Sequence, residues 1–391
     1  MVERVVFPFR GAELGGSHVA TFTLATTLQR RSLAECVVLC AEGTLIMDEA
    51  KRLGLGIAPS GESPTGRNNA LTDITRIGRR RRALKAATGK RGAVVHCNDV
   101  NSLRAWGLPA RLNGNGVVYH HHALNKMWWP PHLVSLTYAN AVVCVSDSTL
   151  EAMRVWRRDA HKELNPFELD RSVDRANARQ KLLAEFDWPQ NARVVGWIGN
   201  FWERKRPGFF LAAAAAMARQ DARYRFVMFG RDGDHSVSTI KQLAVDHGIA
   251  GLVAVPGFRQ SVEANIASLD LLLAPAPREP FGRALVEAIL LGTPIVATRG
   301  AGHSEILGVW GGGLLVDETA TPEEVAERCH YVLASPSTYR VSASNVARIA
   351  QDLSPDSYAD RFAALYDRML RRPPSPTADL KDPAPARSSW H

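Results

Sequence analysis

The stretch REPFGRALVEAILLGTPIVAT, residues 278–298, places two carboxylates, Glu279 and Glu287, on either side of a glycine-bearing turn. Ionised carboxylates accept paired hydrogen bonds from vicinal hydroxyls, a feature that sugars and riboses share. Gly282 or Arg283 is predicted to open a helix that stops at Gly292. Free N–H groups at such a start, together with the helix dipole, favour an anion, most naturally a phosphate. Gly282 lets that anion approach the backbone closely. A phosphate cradle between two hydroxyl readers describes a site for a nucleotide-sugar. The other reading is a pair of solvated glutamates. Glu287 fits it poorly, because an unpaired carboxylate inside an apolar run is costly.

Further groups cluster at the predicted ends of strands. In GWIGNFWERKRPGFF, residues 196–210, Arg204, Lys205 and Arg206 follow a strand and a glycine turn. Cations there would neutralise a departing diphosphate, or they form a basic surface loop. Gly15 and Gly16 follow the first strand and precede a helix expected from near Ser17; they allow close ligand approach or simply make a turn. His120, His121 and His122 end another strand. Neighbours that point alternately to opposite faces serve poorly as metal ligands, so a structural role competes with a site role. Trp128 and Trp129 offer an aromatic face to an acceptor sugar or lipid, or pack in a core. The pair Asp232 and Asp234, in RDGDH, reads as a turn.

These groups need a scaffold that brings strand ends together. Strand-like runs at 5–8, 36–40, 93–96, 116–120 and 141–145 form one series, and 194–198, 225–229, 251–255, 271–274, 295–297 and 313–316 form a second. Helical stretches alternate with them, which predicts an α/β protein with two doubly wound Rossmann-like domains facing across a cleft. The expected boundaries are 1–170 for the first domain and 171–353 for the second; the resemblance described below makes them the acceptor-side and nucleotide-sugar domains. A helix at 354–371 is expected to pack back on the first domain. The Pro-, Ala- and Ser-rich tail, 372–391, is expected to be disordered.

Bulk composition narrows the function. The chain has 391 residues, 46% hydrophobic, and no apolar run approaches the ~18–20 residues that a spanning helix needs. The start, MVERVVFPFR, enters a strand at once and lacks a signal-peptide plan. The reading is therefore cytoplasmic. Five cysteines without paired spacing fit reduced thiols better than disulfides or zinc. The net charge of +9 points to an anionic partner. Part of the excess lies in Arg79–Arg82, with Lys85, Lys90 and Arg91 following: a solvated face, or a patch resting on anionic lipid at the inner face of the membrane. No Gly-x-Gly-x-x-Gly follows a strand, which argues against a dinucleotide oxidoreductase. No aromatic-and-basic motif supports nucleic-acid binding, so a basic binding module is a weak alternative.

The run Glu-Pro-Phe-Gly, the seven residues between the two glutamates, and Ala-Ile-Leu-Leu-Gly-Thr-Pro-Ile-Val-Ala-Thr before a loop with Glu305 together resemble the retaining glycosyltransferases of GT-B fold. The closest resemblance is to glycosyltransferase family 4 (group 1). It implies that Glu279 contacts the donor sugar and Glu287 the ribose, with amides at Phe281, Gly282 and Arg283 on sugar and phosphate. It further implies a lysine at Lys205 and a glycine pair at Gly15–Gly16. The family's arginine position holds Asn200, so Arg204 or Arg259 is left to supply that charge. Among the histidines, His122 aligns with one presented to the donor sugar. Activity is then expected without metal or cofactor, moving a sugar to a glycan or lipid-linked acceptor in surface polysaccharide or glycoconjugate synthesis. A same-fold nucleotide-sugar epimerase or phosphorylase is the alternative.

Overall fold

Buried strands rich in Val, Leu and Ile must hide both faces, and this chain does so twice. The computed structural model describes residues 2–11, 14–63, 70–89, 92–124 and 129–371. Lys90, Arg91, Trp128 and the 372–391 tail lie outside the described residues. Seven strands form the first sheet: β1 (Arg4–Pro8), β2 (Glu35–Cys40), β3 (Gly56–Pro59), β4 (Val94–Cys97), β5 (Gly116–His121), β6 (Ala141–Cys144) and β7 (His161–Lys162). Six form the second: β8 (Arg193–Ile198), β9 (Tyr224–Phe229), β10 (Val253–Gly257), β11 (Leu271–Ala274), β12 (Ile295–Thr298) and β13 (Gly313–Val316).

The orders are β3-β2-β1-β4-β5-β6-β7 and β10-β9-β8-β11-β12-β13. Every pairing between these strands is parallel. Each order reverses once, between β1 and β4 and between β8 and β11. Open parallel sheets bind ligands at these reversals, beyond the carboxyl ends of the strands. Alternation along each strand feeds a core on either face. Val5 and Phe7 join one cluster while Val6 joins the other. In the second sheet Leu271 and Leu273 face one core and Leu272 its opposite.

Two strands were not expected from sequence. β3 and β7 are edge strands, half-exposed and short, so they carry no continuous apolar run. β10 begins two residues later than expected because a 3-10 turn, Ala250–Leu252, precedes it.

The chain crosses between sheets at two places. Phe167 N donates to Leu353 O at 2.8 Å, tying the outgoing and returning segments together. The last described helix, Pro355–Arg371, then packs Tyr358, Phe362, Leu365 and Tyr366 into the same cluster as Val5 and Phe7 of β1.

Candidate functional site

The helix Arg283–Leu290 starts one loop after β11, and its cap is Gly282 at φ 94, a left-handed conformation that side-chain-bearing residues rarely adopt. A Cβ at Gly282 would stand 2.9 Å from the His303 ring. No described side chain caps this helix start, so its first amides remain available to an anion. A second helix, Ala301–Trp310, starts beside it from Gly300. Gly302 N donates to Glu279 O at 2.9 Å. Two helix amino ends therefore converge beyond β11 and β12.

Glu279 is brought against the cations that follow β8. Lys205 Nζ donates to Glu279 Oε2, and Arg204 Nη1 stands 3.4 Å from the same oxygen. Burial pushes the Glu279 carboxyl up, yet Lys205 and Arg204 outweigh it and hold the group below its ordinary range. Lys205 sits in a 3-10 turn, Glu203–Lys205, whose first amide donates to Asp234 Oδ2 at 2.8 Å. Asp232 Oδ1 accepts from Val237 N at 2.8 Å. Both aspartates of RDGDH thus brace backbone.

The arginine question divides cleanly in space. Arg204 lies over Trp202, 4.7 Å from its ring centroid, beside Glu279. Arg259 pairs instead with Glu185 and stacks near Phe229, 5.5 Å from its ring centroid. Asn200 occupies the loop between β8 and this turn, where its carbonyl accepts from Trp202 N at 2.7 Å.

Glu287 is buried, and burial raises its carboxyl pKa despite Arg283 four residues earlier, whose Nη2 stands 3.4 Å from Glu287 Oε1. Arg283 also donates to Pro166 O at 3.3 Å and lies 4.4 Å from the Phe167 ring centroid. Phe281 packs its ring against Phe167, 6.0 Å between centroids, so only its backbone is left for a ligand.

The first domain meets this corner through its own glycine pair. Gly15 caps the helix Gly16–Arg30, and its N–H donates to His18 Nδ1 at 3.1 Å. A Cβ on Gly16 would sit 3.1 Å from Arg283 Cδ, so the bare residue lets the two helix starts approach across the cleft. His122 emerges from the end of β5, its ring centroid 4.0 Å from that of His120. Burial holds the His122 imidazole well below its usual pKa, and the neighbouring imidazoles of His96, His121 and His18 and the Arg283 guanidinium add to this. His122 Nε2 has no partner among the described residues. The site thus gathers Gly15, Gly16, His122, Gly282, Arg283 and Glu287 at one end, and Lys205, Arg204 and Glu279 at the other. Arg259 stands apart with Glu185.

Two residues, one of them the Glu305 of the resembling loop, were given no role by the sequence. His303, buried under Gly282 with Nδ1 3.2 Å from Thr298 O, has its pKa lowered to about 4, chiefly by burial. Glu305 Oε1 accepts from Lys162 Nζ at 2.8 Å, and Oε2 from Asp147 N at 2.7 Å, which links the domains. The glycine-rich run RGAGHSE was the available signal for both. The Arg79–Arg82 run needs correction as a four-charge patch. Arg80 is fully buried, with Nε 2.6 Å from Glu62 Oε1 and Nη1 3.0 Å from Asp73 Oδ1, because helical spacing turns one residue of the four inward. Arg79, Arg81 and Arg82 remain exposed.

Two parallel six- and seven-stranded sheets with facing reversal points, and helix amino ends lining the gap, define a GT-B protein. A solved structure of Anabaena HepE, in complex with UDP and glucose, matches 94% of this chain and 100% of that one. Its TM-score is 0.77 at 17% identity, a likeness of fold. Residues 192–335 match the family described as glycosyl transferases group 1. The lipopolysaccharide core biosynthesis glycosyltransferase LpsE of Rhizobium meliloti is 28% identical over 193 residues, 48% of this chain and 53% of that protein. A D-inositol 3-phosphate glycosyltransferase of Segniliparus rotundus is 28% identical over 207 residues, 51% of this chain and 44% of that protein. The chain spans about half the length of the curated relatives it matches.

Proposed function

We propose that the protein is a retaining glycosyltransferase that moves a sugar from a nucleoside diphosphate donor to a glycan or lipid-linked acceptor in surface glycoconjugate synthesis. The observation that carries this reading is the contact of Lys205 with Glu279 beside the uncapped start of the Arg283–Leu290 helix. A diphosphate resting on those amides comes within reach of Lys205 and Arg204, while Glu279 is placed to accept hydroxyls of the sugar. Glu287, one turn into the helix, is placed for a ribose.

Transfer breaks the bond between the sugar's anomeric carbon and the diphosphate oxygen, which keeps the electron pair. Lys205, Arg204 and the helix amides stabilise that developing charge, and fixed donors and cations of this kind supply most of the rate gain in many enzymes. The acceptor hydroxyl attacks from the same face, and its proton passes to the departing phosphate. This scheme needs neither metal nor cofactor. LpsE and HepE support the reading by family and by fold. No described helix is long and apolar enough to cross a membrane, and we place the enzyme in the cytoplasm. Arg79, Arg81 and Arg82 are the groups left for peripheral contact with anionic lipid.

The deciding experiment is a thermal-shift screen with UDP, GDP and ADP, followed by NMR of the product formed from the donor that binds. A ligand at 100 Kd should stabilise by about 2.7 kcal/mol. HepE makes UDP the first choice. A shift with none of the three, or free sugar released with no acceptor product, overturns the reading.

A further inference from the structure

The first domain has its own reversal point, between β1 and β4, and that crevice is lined by arginine. Arg10 follows β1, while Arg104 lies one turn into the helix Val100–Leu112 after β4. Both converge on Asp73: Arg10 Nη2 stands 3.2 Å from Oδ1 and Arg104 Nε 2.5 Å from Oδ2. Arg80 Nη1 joins at 3.0 Å. The side chains of Arg10, Arg104 and Arg80 are 7%, 8% and 1% exposed.

Among the described residues, hydrogen bonding is left incomplete there. Arg10, Arg76, Arg80 and Arg104 face Glu62, Asp73 and Asp99. Glu62 is taken by Arg80 at 2.6 Å, with Arg76 4.0 Å away, and Asp99 is taken by Ser102 N at 2.8 Å. Burial further raises the Asp99 carboxyl toward its neutral form and lowers the Arg10 pKa. Arg10 Nε and Arg80 Nη2 are buried donors with no partner among the described residues, and so is His132 Nδ1. A buried donor left without a partner is costly, and a purely structural ion network would avoid it. Trp129 closes one side, its ring centroid 5.0 Å from the Arg104 guanidinium carbon and 4.6 Å from the His132 ring.

We propose that this crevice at the carboxyl ends of β1 and β4 binds a phosphoryl group carried by the sugar acceptor, through Arg10 and Arg104. Guanidinium forks match phosphate oxygens bidentately, and the reversal point is where an open parallel sheet receives its ligand. Asp73 holds the forks in place and competes with the phosphate for them. The inference rests on the glycosyltransferase reading for the word acceptor, although the oxyanion site stands on its own geometry.

The test saturates the donor site with UDP, or with GDP or ADP if that nucleotide binds, and then titrates inorganic phosphate at constant ionic strength, following thermal stability. Wild type should show a saturable rise. Arg10→Gln and Arg104→Gln should weaken it about ten-fold or more, the loss of one charge-assisted pair. Asp73→Asn should strengthen phosphate binding by removing the competitor, and this opposite sign keeps the test decisive if an arginine variant fails to fold. A second arm uses a soluble sugar phosphate against vesicles containing phosphatidic acid. A response to the sugar phosphate assigns a soluble acceptor, and one to vesicles alone assigns a lipid phosphate. No saturable response, or one unchanged in Arg10→Gln, Arg104→Gln and Asp73→Asn, overturns the proposal. Failure of all three nucleotides to bind would strike the donor reading instead and leave the phosphate arm readable.

Discussion

Lys205 Nζ and the Glu279 carboxylate are in direct contact beyond the carboxyl ends of the neighbouring strands β8 and β11. The cation proposed to hold a departing diphosphate is thus engaged by the acid proposed to orient the sugar. Donor binding must divide the lysine between them. Glu279→Gln should therefore keep or tighten UDP affinity while cutting turnover by ~10²-fold, the scale of one positioned electrostatic group. Lys205→Ala should lose both. Calorimetry with UDP and steady-state rates separate the two patterns; wild-type rates in both variants would remove these residues from the site.

The two glutamates should respond oppositely to pH. Glu279 has its folded pKa lowered from an ordinary 4.5, so its ion pair stabilises above that value and is lost as pH falls through the folded pKa. Glu287 has its folded pKa raised from 4.5, so its neutral form is favoured in the fold and stability declines as pH rises through the folded value. Glu287→Gln should then stabilise the protein near neutral pH by about 0.5–2 kcal/mol, while weakening nucleotide binding. Urea melts at pH 4 and pH 7.5 read the first effect, and thermal shift with UDP the second. A Glu287→Gln protein less stable at pH 7.5 would mean that Arg283 outweighs burial.

Gly302 fixes the position of the loop that carries Glu279. A Cβ there would fall 2.2 Å from Phe281 O, a backbone atom unable to swing aside. Gly302→Ala should cost about 1–3 kcal/mol, as overpacking does, and reduce nucleotide binding with it. Gly308 in the same helix offers the control, since a Cβ there meets nothing within 4 Å. Gly308→Ala should stabilise by about 0.5–1 kcal/mol. Chemical denaturation of the two variants distinguishes local crowding from a general intolerance of alanine.

Much of this was legible because it is local. The alternation of apolar runs marks β8, β9, β11, β12 and β13 closely, and a glycine after a strand marks the helix start at Arg283. Glu287 reveals itself as a carboxylate in an apolar run. What stayed hidden depends on distant partners. Nothing around Arg80 distinguishes it from Arg79 or Arg81 until Asp73 and Glu62 are folded against it. Likewise, β7 is two residues long and exists by pairing with β6. His303 looks like any helix residue until Gly282 is laid on its ring.

The same dependence on remote partners applies to Glu305, which leads to a last prediction. Its carboxylate joins Lys162 of β7 and the first amide of the helix Asp147–Arg154, so one side chain of the second domain holds two elements of the first. Lys162 also donates to Asp147 Oδ2 at 2.8 Å, which aligns the group that meets Glu305. Burial raises the Glu305 pKa, with Lys162 opposing, so the carboxylate depends on that partner to stay ionised. Glu305→Ala strips Lys162 and the Asp147 amide of an acceptor and should cost about 1–3 kcal/mol. Because the contact lies between domains, the larger effect should be on their spacing: small-angle scattering should show a wider, more variable molecule. Turnover and KM should change together, as they do when a closing motion is altered. An unchanged scattering profile with normal kinetics would mean that the crossings at Phe167 and Leu353 alone set the domain geometry.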